Sequence, residues 1–269
     1  MAEKRKGART FKDIPEDILH QLNAGEIASA NLVEWLAIDP MLLLENVLKQ
    51  AKRKNYFNSV SAEVTKLNKQ TVNTVNETIG AALLNLSIQH KDSEFLSMIS
   101  QHISDAVRCW AAYTVGKNHQ LTIEEKLENI KPFAIDDHFG VREIAWISVR
   151  PSIADELNKS ISILSLWSKS TDSYIRRFAS EATRPRGVWC NHIEELKKKP
   201  EIGLPILEPL KSDPEKYVQD SVANWLNDAG KSKPDFVIQT CKVWDNISKT
   251  KETAYIIKRA CRNLNSYLD

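Results

Sequence analysis

Residues 172–190, DSYIRRFASEATRPRGVWC, and residues 204–228, LPILEPLKSDPEKYVQDSVANWLND, decide the fold of this chain. Each stretch opens near an acidic residue and carries an aliphatic residue followed four positions later by Ala or Val: Ile175 with Ala179, and Val218 with Val222. That spacing puts both members on one face of a helix. Between the two stripes lies a loop with Arg184, Pro185, Arg186 and Trp189. A helical repeat requires core residues and turns. It does not require Arg177, Glu181, Arg184, Arg186, Trp189, Asn224, Asn227 and Asp228 as well, so this excess of polar and aromatic groups marks the region where function is expected.

The same words recur upstream. DAVRCWAA begins at Asp105 and HFGVREIAW at His138, which aligns Val107, Val141, Ile175 and Val218 at spacings of 34, 34 and 43 residues. A period of this length is the signature of stacked antiparallel helix pairs of the HEAT type. In each copy the aligned segment is expected to open the second helix of a pair, with the residue before it as cap. A fifth pair is expected from Pro234 to Arg262. The fold class expected is therefore all-α, with HEAT-like repeats stacked into a curved solenoid that has a concave face. The longest spacing absorbs the Arg-Pro loop.

The front of the chain differs. Residues 1–12, MAEKRKGARTFK, read as a basic flexible tail, either touching phosphate or simply solvated. Residues 13–269 read as one solenoid domain, with capping helices over 13–90 and repeats over 91–269. Within the cap, Ile14–Leu22 reads as a helix with Pro15 in its first turn, ended by Gly25. Ile27–Ala37 reads as a second helix with Leu32, Val33 and Leu36 at core spacing. Asp39-Pro40 opens a third. Residues 55–70 are too polar to assign, and Thr71–Gln89 reads as a helix burying Ile79, Leu83 and Leu86.

Composition excludes several classes. The 269 residues are 42% hydrophobic and 27% charged, with 8 glycines and a net charge of +2. These values suit a globular chain, and the charge by itself does not identify a nucleic-acid binder. Cys109, Cys190, Cys241 and Cys261 form no C-x-x-C pair, which fits a reduced, cytoplasmic protein. No apolar run approaches the roughly 20 residues of a membrane span, so no membrane partner is expected. The six histidines fall in no H-x-x-x-H or Cys/His ligand spacing, and no phosphate-binding glycine loop or G-x-S-x-G is present. No metal and no cofactor is expected.

Three kinds of chemistry remain. Carboxylates at corresponding points of neighbouring repeats, with Glu181 and Asp228 foremost and Glu143 in the preceding copy, can converge and stabilise positive charge on a sugar as its anomeric bond breaks. They can equally pair with Arg177, Arg184 or Arg186 and lock the repeats together. Arginine forks at Arg142, Arg150, Arg176, Arg177, Arg184 and Arg186, with Lys211 beside them in the central repeats, suit phosphates, and the indoles of Trp146, Trp189 and Trp225 can stack on sugar or base. One arginine per repeat can also be architecture, and two of those tryptophans core. Asn224 and Asn227 can reach phosphate or serve as helix caps.

The run RRFASEATRPRGVW, with ILEPLKSDPEKYVQDSVANWLND after it, resembles the bacterial HEAT-like DNA alkylation repair proteins. These are the alkylpurine DNA glycosylases of the AlkC and AlkD group, and the AlkC branch is closer. The resemblance covers about residues 130–245. It implies a monomer that holds double-stranded DNA, preferably alkylated, in its concave face and removes N-alkylated cationic bases such as 3-methyladenine without a metal and without deep base flipping. By position it implies that Glu181 and Asp228 are catalytic and that Trp189 contacts substrate. It also implies a bacterial cytoplasmic protein that joins the nucleoid when bound to DNA. One position departs from the family pattern: where the preceding repeat carries a Glu, counting back from Arg150 in AWISVRPSI gives Trp146. Loss of a charge aimed at the transition state costs on the order of 3 kcal/mol. Two other readings therefore stand beside the glycosylase: a non-catalytic binder of damaged or branched DNA, and a HEAT-repeat protein-interaction scaffold.

Overall fold

The computed structural model describes residues 5–264, and all regular structure among them is helical. The first seven helices are α1 (Glu16–Ala24), α2 (Leu32–Ala37), α3 (Pro40–Gln50), α4 (Phe57–Thr65), α5 (Val72–His90), α6 (Ser93–Ser100) and α7 (Asp105–Lys117). The next are α8 (Ile123–Ala134), α9 (Phe139–Asp155), α10 (Leu157–Trp167), α11 (Ser173–Ala182), α12 (Glu194–Lys198) and α13 (Leu204–Leu207). The chain ends in α14 (Lys216–Gly230), α15 (Pro234–Ile247) and α16 (Lys251–Ala260). These form two compact units. One holds the chain through Gln120 together with Asp136–Ser148, and the other holds Leu121–Ile135 and the chain from Val149 on.

In the first unit α5 packs on α7, and α3 packs on α1 and α4. Leu43, Leu48, Ile79, Leu83, Val107 and Trp110 are fully buried there. Three readings of this region change. α1 starts at Glu16 because Pro15 is its N-cap rather than part of its first turn. The expected helix over 27–37 shrinks to α2, because Asn31 takes the N-cap position and accepts the Glu34 N–H at 3.0 Å. α2 then turns Glu34 and Trp35 inward and leaves Leu32 and Leu36 exposed, the reverse of the expected stripe. Residues 57–65, left unassigned by their polarity, form α4 around Val60 and Val64.

The buried Glu34 also changes the reading of the tail. Arg5 donates to both Glu34 oxygens at 2.6 Å, the Ala8 N–H donates to the same carboxylate, and Asn31 Nδ2 donates to the Ala8 carbonyl. A carboxylate that is 1% exposed needs a charge partner, and the tail supplies it. From Arg5 onward the segment expected to be loose is tied to α2; residues 1–4 lie outside the described residues.

The second unit is a run of helix pairs. α11 packs on α14 and α14 on α16, with α10, α13 and α15 as the companion helices. Val218, Val222, Trp225 and Leu226 are fully buried in α14. The expected fifth pair is α15 with α16.

The repeat is written into the turns as well as the core. The N–H groups of Ser104, His138, Asp172 and Glu215 are accepted by the side chains two residues earlier: His102, Asp136, Ser170 and Asp213. Four residues further on, Arg108, Arg142, Arg176 and Gln219 reach back to the carbonyls of residues 102, 136, 170 and 213. The copies are thus aligned on Ser104, not Asp105. Asp105 is buried in the first turn of α7 and accepts from the Ser29 N–H and hydroxyl. Asp172 caps α11 as expected, through the Tyr174 and Ile175 N–H groups. Glu215 makes no side-chain cap.

Candidate functional site

The longest spacing, between the third and fourth copies, contains the loop that follows α11, and a buried arginine fixes the ends of that loop. Arg150, 2% exposed near the end of α9, donates to the carbonyls of Ala182 (2.7 Å), Arg184 (2.5 Å) and Asn191 (3.0 Å). Arg150 therefore faces protein carbonyls. Within the loop Gly187 lies so close to Cys190 Sγ that a Cβ there would collide with it. Trp189 sits at φ +59° and is 71% exposed. An aromatic residue in the left-handed region is a strained exception, at a cost of roughly 1–2 kcal/mol, and here it presents its indole to solvent.

Behind the loop, Glu181 at the end of α11 and Asp228 in α14 come together around one guanidinium. Arg184 donates through Nη1 to Glu181 Oε1 at 2.7 Å, and through Nη2 and Nε to Asp228 Oδ2 at 2.7 and 2.9 Å. Both acids are 4% exposed. The second oxygens are also engaged. Glu181 Oε2 accepts the Ser221 hydroxyl at 2.6 Å, with Arg177 Nη2 3.8 Å away, and Asp228 Oδ1 accepts Lys231 Nζ at 2.9 Å. Burial acts to raise the Glu181 pKa, but the charges of Arg177 and Arg184 and the Ser221 hydrogen bond outweigh it, leaving Glu181 below its ordinary value. Arg184 is likewise pulled down by burial and carried above its ordinary value by the two acids.

The four partners are not equivalent. The side chains of Arg184 and Arg177 are 10% exposed and Ser221 is 2% exposed, whereas the side chain of Lys231 is 48% exposed. Asp228 Oδ1 is thus the one carboxylate oxygen held by a solvated, flexible partner. Sequence reasoning named both acids and Arg184 but missed Ser221 and Lys231. Ser221 reads as a spacer inside the Val218–Val222 stripe, and Lys231 as an ordinary lysine at a helix end.

The remaining candidates separate by environment. Trp146 is 2% exposed in the first unit and donates Nε1–H to Glu143 at 2.9 Å. It is a core residue there, and Glu143 is its acceptor. Trp225 is core as well, with Nε1 3.3 Å from the Thr183 hydroxyl. Arg142 holds the Asp136 carbonyl as part of the repeated turn. Arg177 lies over the Tyr217 ring at 4.1 Å. Asn227, expected to reach phosphate, is 2% exposed and donates to the Ala260 carbonyl; burial turns it toward α16 rather than solvent. Asn224 is half-buried and accepts from Arg262 Nη2 at 3.2 Å. Arg186 donates to the Ser232 hydroxyl at 2.7 Å, while its buried Nε has no acceptor among the described residues. Among the described residues no cluster of three or more His, Cys, Asp or Glu side chains could hold a metal, and no helix is long and apolar enough to cross a membrane.

Residues 141–264 match the model of the family described as DNA alkylation repair enzyme. The chain is 38% identical over 137 residues to the uncharacterized protein YhaZ of Bacillus subtilis; the match spans 51% of this chain and 37% of that protein. In fold it is similar to Pseudomonas fluorescens alkylpurine DNA glycosylase AlkC bound to DNA containing an abasic site analog, with a TM-score of 0.66, 21% identity, and coverage of 96% of this chain and 66% of that one. It is also similar to AlkD2 from Streptococcus mutans, with a TM-score of 0.60, 22% identity, and coverage of 77% of this chain and 97% of that one. The fold is therefore the all-helical, HEAT-like repeat fold of these proteins.

Proposed function

We propose that this protein repairs alkylated DNA by hydrolysing the N-glycosidic bond of cationic N-alkylated bases such as 3-methyladenine, with Asp228 as its catalytic carboxylate. The observation that carries this reading is the exposed, strained Trp189 on a loop rooted in the buried Glu181–Arg184–Asp228 cluster, within the segment that matches the DNA alkylation repair enzyme family.

The chemistry asks little of the protein. A 3-alkylated purine already carries positive charge, so it leaves with the bonding electron pair as a neutral base and needs no strong general acid. What must be stabilised is the oxocarbenium-like sugar, until water adds to the anomeric carbon and loses a proton. Trp189 stacks against the damaged nucleotide from outside the duplex. DNA phosphates compete for Lys231, draw it off Asp228 Oδ1, and free that oxygen to face the sugar. Glu181 stays bound to Arg184 and Ser221 and acts as a positioning residue that holds the Arg184–Asp228 pair in place. Arg186 and Arg262 are available for the backbone.

A second reading has its own support. All four carboxylate oxygens are engaged, and Trp146, at the position where the family pattern carries a Glu, is core. On that reading the protein grips damaged duplex without turnover. Base release from methylated duplex DNA separates the two. A glycosylase releases 3-methyladenine or 7-methylguanine, and Asp228→Asn slows release about a hundredfold while leaving duplex affinity in place. No release by the wild type at high protein concentration, with salt-sensitive duplex binding intact, overturns the catalytic reading and leaves the binder.

A further inference from the structure

Two thiols that the proposed repair chemistry does not use meet across the last helix pair. Cys241 lies on α15, and Cys261 is the residue that ends α16. Their Sγ atoms are 3.7 Å apart and both residues are buried, at 4% and 7% exposure. We propose that Cys241 and Cys261 form a redox modification site, a dithiol that a hydroperoxide converts into an intramolecular disulfide.

The geometry is close to what the reaction needs. A disulfide brings its sulfurs to about 2.05 Å, so the pair must close by roughly 1.7 Å, within reach of side-chain rotation at a helix end. Cys261 stands at φ −86°, ψ 4°, just past the last residue of α16, where the chain can open locally to admit a small oxidant. The two thiols share one hydrogen bond, and that contact draws Cys261 below its ordinary value against the opposing effect of burial and pushes Cys241 up. Cys261, at the end of α16 and the less buried of the two, is the thiolate that meets the oxidant. It displaces hydroxide from the peroxide and becomes a sulfenic acid. The Cys241 thiol then attacks that sulfur and loses its proton as water departs. Two thiols and one hydroperoxide give one disulfide and two molecules of water, or water and an alcohol from an alkyl hydroperoxide.

The site is wired to α14. Ala260, beside Cys261, accepts from Asn227 Nδ2; Asn263 donates to Asn227 Oδ1; and Arg262 donates to Asn224 Oδ1. Drawing Cys261 toward α15 pulls on all three bonds at the end of α14 that carries Asp228.

The test uses the full chain, treated with hydrogen peroxide, blocked with an alkylating reagent after denaturation, and examined by intact mass and peptide mapping. The proposal expects loss of about 2 Da, two fewer alkylatable thiols, a Cys241–Cys261 linked peptide, and reversal by a dithiol reductant. Cys241→Ser and Cys261→Ser each abolish the linked product, and Cys109→Ser and Cys190→Ser retain it. Oxidation that stops at sulfinic acid, links other cysteines or leaves the mass unchanged overturns the proposal. If a serine variant fails to fold, the wild-type peptide map decides alone. Amide exchange over residues 224–230 rises on oxidation if the wiring to α14 holds, and unchanged exchange there overturns that coupling. None of these readouts depends on the protein being a glycosylase.

Discussion

Two columns of the repeat, eight residues apart, behave in opposite ways. The first contains Arg108, Arg142, Arg176 and Gln219, and all four reach back to the carbonyl six residues earlier. Arg108 and Arg176 also make the same bidentate grip on an aspartate of the following turn, Asp136 and Asp213. The second column contains Gly116, Arg150, Arg184 and Asn227, and no two members do the same thing. Gly116 leaves room for the Ser148 backbone, Arg150 binds three carbonyls, Arg184 bridges two acids, and Asn227 holds the end of α16. A position that repeats its bonds is building the repeat. A position that changes them in each copy has been released from that task, and there the added loop and the carboxylate cluster grew.

The largest expected effect lies in the second column. Arg184→Met strands Glu181 and Asp228 together at 4% exposure and should cost about 3–5 kcal/mol in a denaturant melt. A loss below about 1 kcal/mol would mean that the acids are held by other means and that the column is not distinct. The first column predicts a smaller loss and an equality. Arg108→Met and Arg176→Met, which break the same bonds in different units, should each cost about 1.5–3 kcal/mol and agree within about 1 kcal/mol. Disagreement beyond that breaks the claim that these positions are interchangeable architecture.

The pH dependence sharpens the contrast further. The folded pKa of Glu181 lies below its ordinary value of 4.5, so its ionised form stabilises the fold fully above that pH and loses the effect as pH falls toward the folded value. From pH 4.5 downward, unfolding free energy should therefore fall more steeply for the wild type than for Glu181→Gln. Parallel acid profiles would show that Glu181 does not contribute through its charge.

Much of the fold was legible in the sequence because the core position of each copy is aliphatic and recurs at 34 residues, and no tertiary contact is needed to see that. The front of the chain was less legible for a physical reason. Whether α2 turns Leu32 or Glu34 inward depends on Arg5, a residue far off in sequence that the composition assigns to a loose tail. At the candidate site the sequence named Glu181, Arg184 and Asp228, but not which oxygens they share. It could not tell Trp189 from Trp146 either, since indoles look alike until burial is known. The 43-residue spacing was the available signal, because Trp189 alone of the three tryptophans considered as stacking groups lies within it.

The smallest expected effect on stability carries the most weight for function. Trp189→Ala removes an indole that is 71% exposed and should change stability by no more than about 0.5 kcal/mol. The most direct measurement places that variant beside Arg176→Met and records, for each, the melting temperature and the affinity for methylated duplex DNA per folded molecule. A crossing is expected. Trp189→Ala melts like the wild type but binds about tenfold more weakly or worse, whereas Arg176→Met melts early but binds normally. Normal binding by Trp189→Ala would contradict the claim that the inserted loop is the functional part of this repeat.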